Sequence, residues 1–189
     1  TFNGSVAAGG STVTSTISRN GDLVSNLWLQ STLTTGASGS TTAFTNNIGH
    51  ALFNEIEIEI GGQRIDRHYS QWLDIWNEAT DHDGEHHRGL GKSATPSTAM
   101  GVAQATATNY TFYTPLQFWF CRNPGLALPL IALQYHEVKI KVQTRAWAQL
   151  VVSTDGSAAA VAPSACTVQL WADYIYLDTD ERRRFAQVS

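Results

Sequence analysis

The sequence predicts an all-β sandwich, and three observations support that fold class. Hydrophobic and polar residues alternate with a period of two in several segments, which is typical of strands with one buried face. Turn residues, among them Asn-Gly and Gly-Gly pairs, separate these segments. Long helices do not alternate with the strands, so the pattern does not indicate a parallel α/β sheet. A length of 189 residues is enough for one such domain with its own core.

The first half of the chain contains four segments with strand-like alternation. We expect strands at residues 11–18, 23–33, 52–60 and 63–68. The period then changes, because four apolar side chains are spaced as on one face of a helix. They are Tyr69, Trp72, Leu73 and Trp76, and they predict a short helix over residues 69–79. Residues 34–42 are rich in Gly, Ser and Thr and predict a loop.

The second half continues the pattern with three more strands. We expect them at residues 111–120, 135–147 and 167–177, with a loop of small residues at 152–164. Residues 81–108 are polar and aperiodic, so they predict an exposed loop. Residues 126–133 are apolar and contain Pro129, which indicates a short, buried helical turn. Seven or eight strands with two helical inserts fit a jelly roll, which has eight strands in two sheets.

Charge is scarce in this sequence and argues against nucleic-acid binding. Charged residues make up 15% of the chain, against about 25% in an average soluble domain. A surface with little charge suits a protein that packs against copies of itself. The net charge is −4, and no basic face of the kind that binds nucleic acid is evident. The basic run at residues 182–184 is expected to be solvated or locally paired.

The cysteines and the termini indicate where the protein is made. Cys121 and Cys166 are too few for a disulfide framework. Each lies in an apolar run, so we expect two reduced core residues, in keeping with assembly in the cytoplasm. No apolar stretch reaches the roughly 20 residues that span a bilayer, and no signal peptide is visible. The chain opens at Thr1 as if already inside a strand, so we expect a piece of a longer polypeptide.

The most suggestive metal-binding pattern lies at residues 81–87. Its three histidines, His82, His86 and His87, stand among Asp and Glu residues, and both imidazoles and carboxylates can bind transition metals. A jelly-roll metalloenzyme of the cupin type needs two histidines one residue apart on a strand. His86 and His87 are adjacent, so on a strand they would face opposite ways. We therefore expect a solvated loop that binds no metal, and neither a cofactor nor a catalytic residue in the chain.

Other candidate sites have simpler structural explanations. Cys121 and His136 have no spacing that supports a nucleophile pair. His50 and His68 are isolated and are expected to be hydrogen-bonded at strand ends. Asn3 and Asn109 begin tripeptides of the glycosylation pattern, which is short and common. Three strand tryptophans could stack on sugars or bases, but packing in the core or an interface is the preferred interpretation. They are Trp119, Trp147 and Trp171.

Four longer strings carry a resemblance to a known family. They are SRNGDL at 18–23, EIEIGGQRID at 57–66, PGLALPLIALQYHEV at 124–138, and WADYIYLDTDER at 171–182 followed by RFAQ at 184–187. As a set, in this order, they closely resemble the major capsid proteins of nucleocytoplasmic large DNA viruses, of the chlorovirus and iridovirus kind. The strings extend from one end of the chain to the other. Residues 81–108 depart from the family pattern, as an outward loop would.

The resemblance implies a structural role in a virion. Members of this family are double jelly rolls, and three copies form a pseudo-hexagonal capsomer that tiles an icosahedral shell. By that resemblance residues 1–180 are one eight-stranded antiparallel jelly roll, the first half of the double one. Residues 181–189 would begin the linker to a second jelly roll that is absent from this chain.

The resemblance also implies which partners the chain would have. They are itself as a homotrimer, neighbouring capsomers and minor capsid proteins, with no direct contact to nucleic acid. An inner membrane would lie beneath the shell and be reached through the family's N-terminal segment. The protein would reside in the virion after assembly in the host cytoplasm.

Three other functions remain as alternatives. A single jelly-roll minor capsid or penton protein is the nearest, and the four strings favour the major protein. A carbohydrate-binding jelly roll would need an exposed row of aromatic residues, and the loops here are nearly free of them. A cupin-like metalloenzyme is disfavoured by its histidine spacing.

Two further expectations concern particular residues. Jelly-roll topology, as the resemblance implies it, places the strand with Glu57 and Glu59 antiparallel to the strand with Lys139 and Lys141. Opposite charges would then face each other on the outer surface of that sheet. Residues 126–133, which we call the apolar connection, are expected to be critical for the core or for assembly, through five large aliphatic side chains. They are Leu126, Leu128, Leu130, Ile131 and Leu133.

Overall fold

The computed structural model describes residues 2–4, 6, 9–34, 42–80, 90–91, 109–153 and 163–188. Ten strands lie within these ranges: β1 (Thr12–Thr16), β2 (Leu23–Thr34), β3 (Thr42–Phe44), β4 (Phe53–Ile60), β5 (Gln63–Tyr69), β6 (Asn109–Pro115), β7 (Leu128–Pro129), β8 (Val138–Thr144), β9 (Val151–Ser153) and β10 (Ala165–Ile175). The helices are α1 (Ile48–Ala51), α2 (Ser70–Thr80), α3 (Trp119–Arg122) and α4 (Thr179–Val188). Short 3₁₀ turns occur at Pro124–Leu126 and Trp147–Gln149.

The strands form two large antiparallel sheets and one small one. The first sheet has the order β1-β8-β4-β5, and the second has the order β10-β2-β6, with β7 also paired to β2. Strands β3 and β9 form a separate pair. The inner faces of both large sheets contribute to one hydrophobic core, in which Leu29 of β2 and Ile140 of β8 are fully buried. This arrangement is a β-sandwich of the jelly-roll kind, as the alternation predicts.

The two-residue period explains why each strand has one buried side. In β8, Val138, Ile140 and Val142 are at most 3% exposed, while Lys139 and Lys141 point to the other side of the sheet. Burying each such aliphatic side chain contributes roughly 1.5–3 kcal/mol. In β10 the same alternation is present, but its inward side chains are only half-buried. Among the strands that the structure describes, β10 pairs only with β2 and so lies at the edge of its sheet.

Several sequence-based boundaries need correction. The strand expected at residues 111–120 ends at Pro115, and Trp119–Arg122 forms a helical turn instead. Pro115 has no N–H to continue the hydrogen-bond ladder of the strand. Phe118 and Phe120, which follow it, are both fully buried at a helical turn and not on one side of a strand. The helix expected at 69–79 is confirmed with a shift of one residue, at Ser70–Thr80. The strand expected at 135–147 is shorter, at Val138–Thr144.

Two predicted loops contain residues that the structure places in packed positions. Val151–Ser153 is paired with β3, although 152–164 was expected to be a loop. Within 81–108 the structure describes Leu90 and Gly91, and Leu90 is only 1% exposed. Gly91 has a φ of 69°, and a Cβ there would lie 2.4 Å from Cγ2 of Ile48. The expectation that 81–108 is exposed throughout is therefore wrong at this point, because a glycine allows close contact with the core.

The apolar connection is not a buried helical turn. Pro124–Leu126 is a 3₁₀ turn, Leu128–Pro129 pairs with β2, and the chain continues in tight turns. Residues 181–189, expected as the start of a linker, overlap helix α4. No helix in the described ranges is both long and apolar enough to cross a membrane.

Candidate assembly surfaces

The outer face of the first sheet is charged and internally paired. In the β4–β8 ladder Glu57 is opposite Lys141 and Glu59 is opposite Lys139, so the expected antiparallel pairing is confirmed. The ion pair itself is diagonal, because the ammonium of Lys141 contacts the carboxylate of Glu59. A hydrogen bond to Glu59 raises the pKa of Lys141. Lys139 turns instead to Glu137, at 3.1 Å.

Strand β5 adds two guanidinium groups to this face. Glu57 Oε1 accepts from Arg64 at 3.1 Å and from Arg67 Nε at 2.6 Å. Arg67 also donates to the Tyr69 hydroxyl at 3.1 Å and lies over the Tyr69 ring. Hydrogen bonds to Tyr69 and to Glu57 raise the pKa of Arg67. The charges of this face are therefore compensated within the sheet, and the face needs no partner to neutralise them.

The outer face of the second sheet has no charged side chain across its centre. Three rows of three residues cross the strands there, in the order β6, β2, β10. They are Pro115, Trp28 and Trp171; Tyr113, Gln30 and Gln169; and Thr111, Thr32 and Thr167. We call these nine residues the uncharged face. Trp171 is 56% exposed and Tyr113 is 51% exposed.

Two pairs of polar groups on the uncharged face bond to each other. Trp171 Nε1 donates to Gln30 Oε1 at 2.7 Å, and the hydroxyls of Thr32 and Thr111 are 3.0 Å apart. The aromatic end encloses a shallow depression of about 440 Å³, lined by Trp28, Gln30, Tyr113 and Trp171. Trp28, Tyr113 and Trp171 give the depression three aromatic rings for apolar contact, and the Trp171–Gln30 hydrogen bond holds one of them in place.

The apolar connection splits into buried and exposed residues. Leu128 and Leu130 are 4% and 2% exposed, whereas Leu126 is 53% exposed. Ile131 and Leu133 are partly buried. The turn that follows is held by Arg19, whose guanidinium donates to the carbonyls of Leu133, Gln134 and His136. Part of this segment therefore belongs to the core, and its first leucine is available at the surface.

The comparison with known proteins identifies the family. Residues 1–178 match the family model described as "Major capsid protein N-terminus". The chain is 52% identical over 194 residues to the major capsid protein of Pyramimonas orientalis virus. This chain belongs to the major capsid protein family. The four sequence strings thus point to the correct family.

Solved structures of capsid proteins share the fold. A crystal structure of PBCV-1 VP54, fitted into a reconstruction of the virophage Sputnik, superposes with a TM-score of 0.78 at 39% identity. It covers 99% of this chain and 43% of VP54. The Faustovirus major capsid protein, at 12% identity and a TM-score of 0.67, shares the fold alone. The expected jelly-roll fold class is therefore confirmed.

The chain spans less than half the length of the curated relatives it matches. It covers all of its own length but 46% of the Pyramimonas orientalis virus protein. The major capsid protein of Paramecium bursaria Chlorella virus 1 is 40% identical, and 41% of it is covered.

The thiols of this capsid-family chain are poorly suited to nucleophilic chemistry. Both cysteines are free and partly buried. Burial raises the pKa of Cys121 to about 11 and that of Cys166 to about 12, whereas a reactive cysteine has a lowered pKa. His136, the imagined partner of Cys121, lies instead beside Gly61.

The candidate metal ligands and glycosylation sites have different outcomes. His82, His86 and His87 fall outside the described residues, so the structure does not test them. In the described ranges no three residues among His, Cys, Asp and Glu are grouped as metal ligands would be. Asn3 bridges to Thr14 at the surface, and the side chain of Asn109 accepts from Thr34 Oγ1 at 2.7 Å.

The preferred interpretation of the three tryptophans, packing in the core or an interface, agrees with the core positions of two of them. Trp147 is 8% exposed, and Trp119 packs against the core. Trp171 is at the surface, but its neighbour across the ladder is Trp28. The sequence contains a signal for this pair, since both residues fall on the polar side of their alternating strands.

Two histidines have structural partners that the sequence does not reveal. His50 Nδ1 is 2.6 Å from Asp74 Oδ1, which ties α1 to α2. His68 Nε2 is 3.2 Å from Asp66, and the His68 ring stacks on Phe118 with centroids 4.6 Å apart. Burial lowers the pKa of His68. Both residues hold elements together in the sandwich.

Proposed function

We propose that this chain is the first jelly roll of a major capsid protein, and that it acts by self-assembly without catalysis. The observation that carries the proposal is the family match over residues 1–178 together with 52% identity to a named major capsid protein. The physical character of the chain supports it. A rigid sandwich with one charge-compensated face and one uncharged face suits a shell component more than an enzyme.

In this proposal three copies form a pseudo-hexagonal capsomer, and capsomers tile an icosahedral shell. Neighbouring capsomers and minor capsid proteins are the partners, and the genome is not contacted directly. A net charge of −4 supports the last point, because nucleic-acid binding depends on basic contacts to phosphates. The part of the polypeptide outside these residues would supply the second jelly roll and any approach to an inner membrane. Assembly would take place in the host cytoplasm.

Antibody labelling of the virus tests this proposal. Gold-conjugated antibodies against the 189-residue chain should decorate the outer shell of intact particles in electron micrographs. The chain's peptides should also come from the most abundant protein band of purified particles. Peptides found only in a scarce band would favour the single jelly-roll minor capsid protein. Peptides found only in infected cells, and not in particles, would contradict a structural role.

A further inference from the structure

The uncharged face has the composition of a protein contact surface. Its aromatic end contains Trp28, Tyr113 and Trp171, and its Thr and Gln residues surround that end. Protein interfaces combine aromatic centres with polar rims, and Trp and Tyr dominate their energetic hot spots. Two large side chains that are more than half exposed, Tyr113 and Trp171, line the same depression on this face.

The area of the uncharged face limits how tightly it can bind a partner. The three strands lie about 4.8 Å apart and are paired together over the seven residues from Trp28 to Thr34. At about 3.4 Å per residue they give a surface of roughly 14 Å by 24 Å, or about 340 Å². A patch of that size is at the level where apolar surfaces are often functional. A stable interface buries about 800 Å² per partner, so this face alone would hold a partner weakly. Such a contact becomes effective when it is repeated in an assembly.

The charge distribution indicates which partner fits. Charged side chains brought against the uncharged face would lose hydration and gain no opposite charge. The outer face of the first sheet is such a charged surface, with Glu57, Glu59 and Lys141 at its centre. The uncharged face of another copy has no charge to desolvate there. Sugar binding is the alternative that the test must exclude, because Trp171 Nε1 and Gln30 Oε1 bond to each other while the amide N–H groups of Gln30 and the Tyr113 hydroxyl could still contact a ligand.

We propose that the uncharged face is a contact surface between copies of this protein. Trp171 and Tyr113 are its principal contact residues, and the charged face of the first sheet stays outside the contact. This inference rests on the proposed self-assembly and names the surface that takes part in it. Association through this face is weak in solution and rises with protein concentration.

Sedimentation velocity over a concentration series, up to about millimolar chain, tests the inference. The wild-type chain should shift reversibly to larger species as its concentration rises. Trp171→Arg and Tyr113→Arg should each weaken this association roughly tenfold or more, because a buried guanidinium would have no partner. Ile75→Arg is the matched control. Ile75 is 60% exposed on α2, away from the face, and its replacement should leave association unchanged.

Folding is checked for each variant by circular dichroism, and two independent face variants protect the test against one that misfolds. The inference is overturned if Trp171→Arg and Tyr113→Arg associate as the wild type does. It is also overturned if Ile75→Arg loses as much association as they do. A wild-type chain that stays monomeric at every concentration would also overturn it. Tryptophan fluorescence that responds to millimolar glucose or galactose, but not to protein concentration, would replace it with a sugar platform. None of these results alters the labelling of particles, so failure of this inference is separable from failure of the proposed function.

Discussion

The outer faces of the two large sheets differ in chemistry, although both are built from alternating strands. The face of β1-β8-β4-β5 carries acidic and basic side chains that pair with each other, such as Glu59 with Lys141. The face of β10-β2-β6 has a central region with no charge and two aromatic residues more than half exposed. The charges of the first face are paired within the sheet, whereas the second face leaves apolar area in contact with solvent. The difference indicates that alternation marks which side of a strand is outward, but not what the outward side is for.

The largest expected effect tests whether both faces depend on one core. Leu130 is 2% exposed and belongs to that core. Leu130→Asp would place a carboxylate without a partner there, at a cost of several kcal/mol. Because a domain of this kind is stable by only about 5–15 kcal/mol, we expect loss of the cooperative melting transition in circular dichroism.

Leu126→Asp is the control for that experiment. Leu126 lies in the same apolar connection but is 53% exposed. Its replacement should lower the free energy of unfolding by less than about 1 kcal/mol. Equal effects of the two substitutions would mean that the connection acts as a single surface strip and that Leu130 has no special place in the core.

A smaller effect is expected when one lysine is added to either face. Glu59→Lys removes the partner of Lys141 and places like charges beside Lys139 and Lys141. We expect roughly 1 kcal/mol of destabilisation, since cross-strand charge pairs contribute about 0.2–1 kcal/mol each. Gln169→Lys puts the same charge on the exposed uncharged face, whose nine residues include no lysine, and should stay within about 0.5 kcal/mol. Urea titration measures both, and a reversed order would contradict the contrast between the faces.

The inner side of the charged sheet should respond to pH through His68. Burial holds the pKa of His68 below its usual 6.5 in the folded state. The unfolded chain therefore binds a proton first as pH falls, and stability decreases from about pH 6.5 down to the folded pKa. Thermal melts between pH 7.5 and 5 should show this decrease, and His68→Phe should reduce it while keeping a ring on Phe118. Equal slopes for the wild type and His68→Phe would contradict this role of His68.

The smallest effect is expected for Arg64→Ala. Arg64 is a half-exposed partner of Glu57, which also keeps Arg67 at 2.6 Å. Because exposed ion pairs contribute little and this one is shared, the free energy of unfolding should change by no more than about 0.5 kcal/mol. Arg67→Ala should cost more, since Arg67 also contacts Tyr69. Chemical denaturation that ranks Arg64 above Arg67 would show that the network is arranged differently in solution.

The local pattern of residues determined much of the fold. Alternation located the buried and outward sides of β2, β4, β8 and β10, because a strand's side chains point to opposite faces whatever the strand packs against. Helical spacing placed α2 to within one residue. The acidic strand and the basic strand were matched through jelly-roll topology, and the observed ladder has that pairing.

Other features depended on contacts between residues that are distant in sequence. Nothing local distinguishes Leu126 from Leu130, yet one is at the surface and the other is in the core. Arg19 holds the carbonyls of a turn more than 100 residues away. Trp28 meets Trp171 only because β10 pairs with β2. Sequence periodicity reports the side on which a residue lies, whereas strand order decides which outward side chains become neighbours, and the uncharged face exists only at that level.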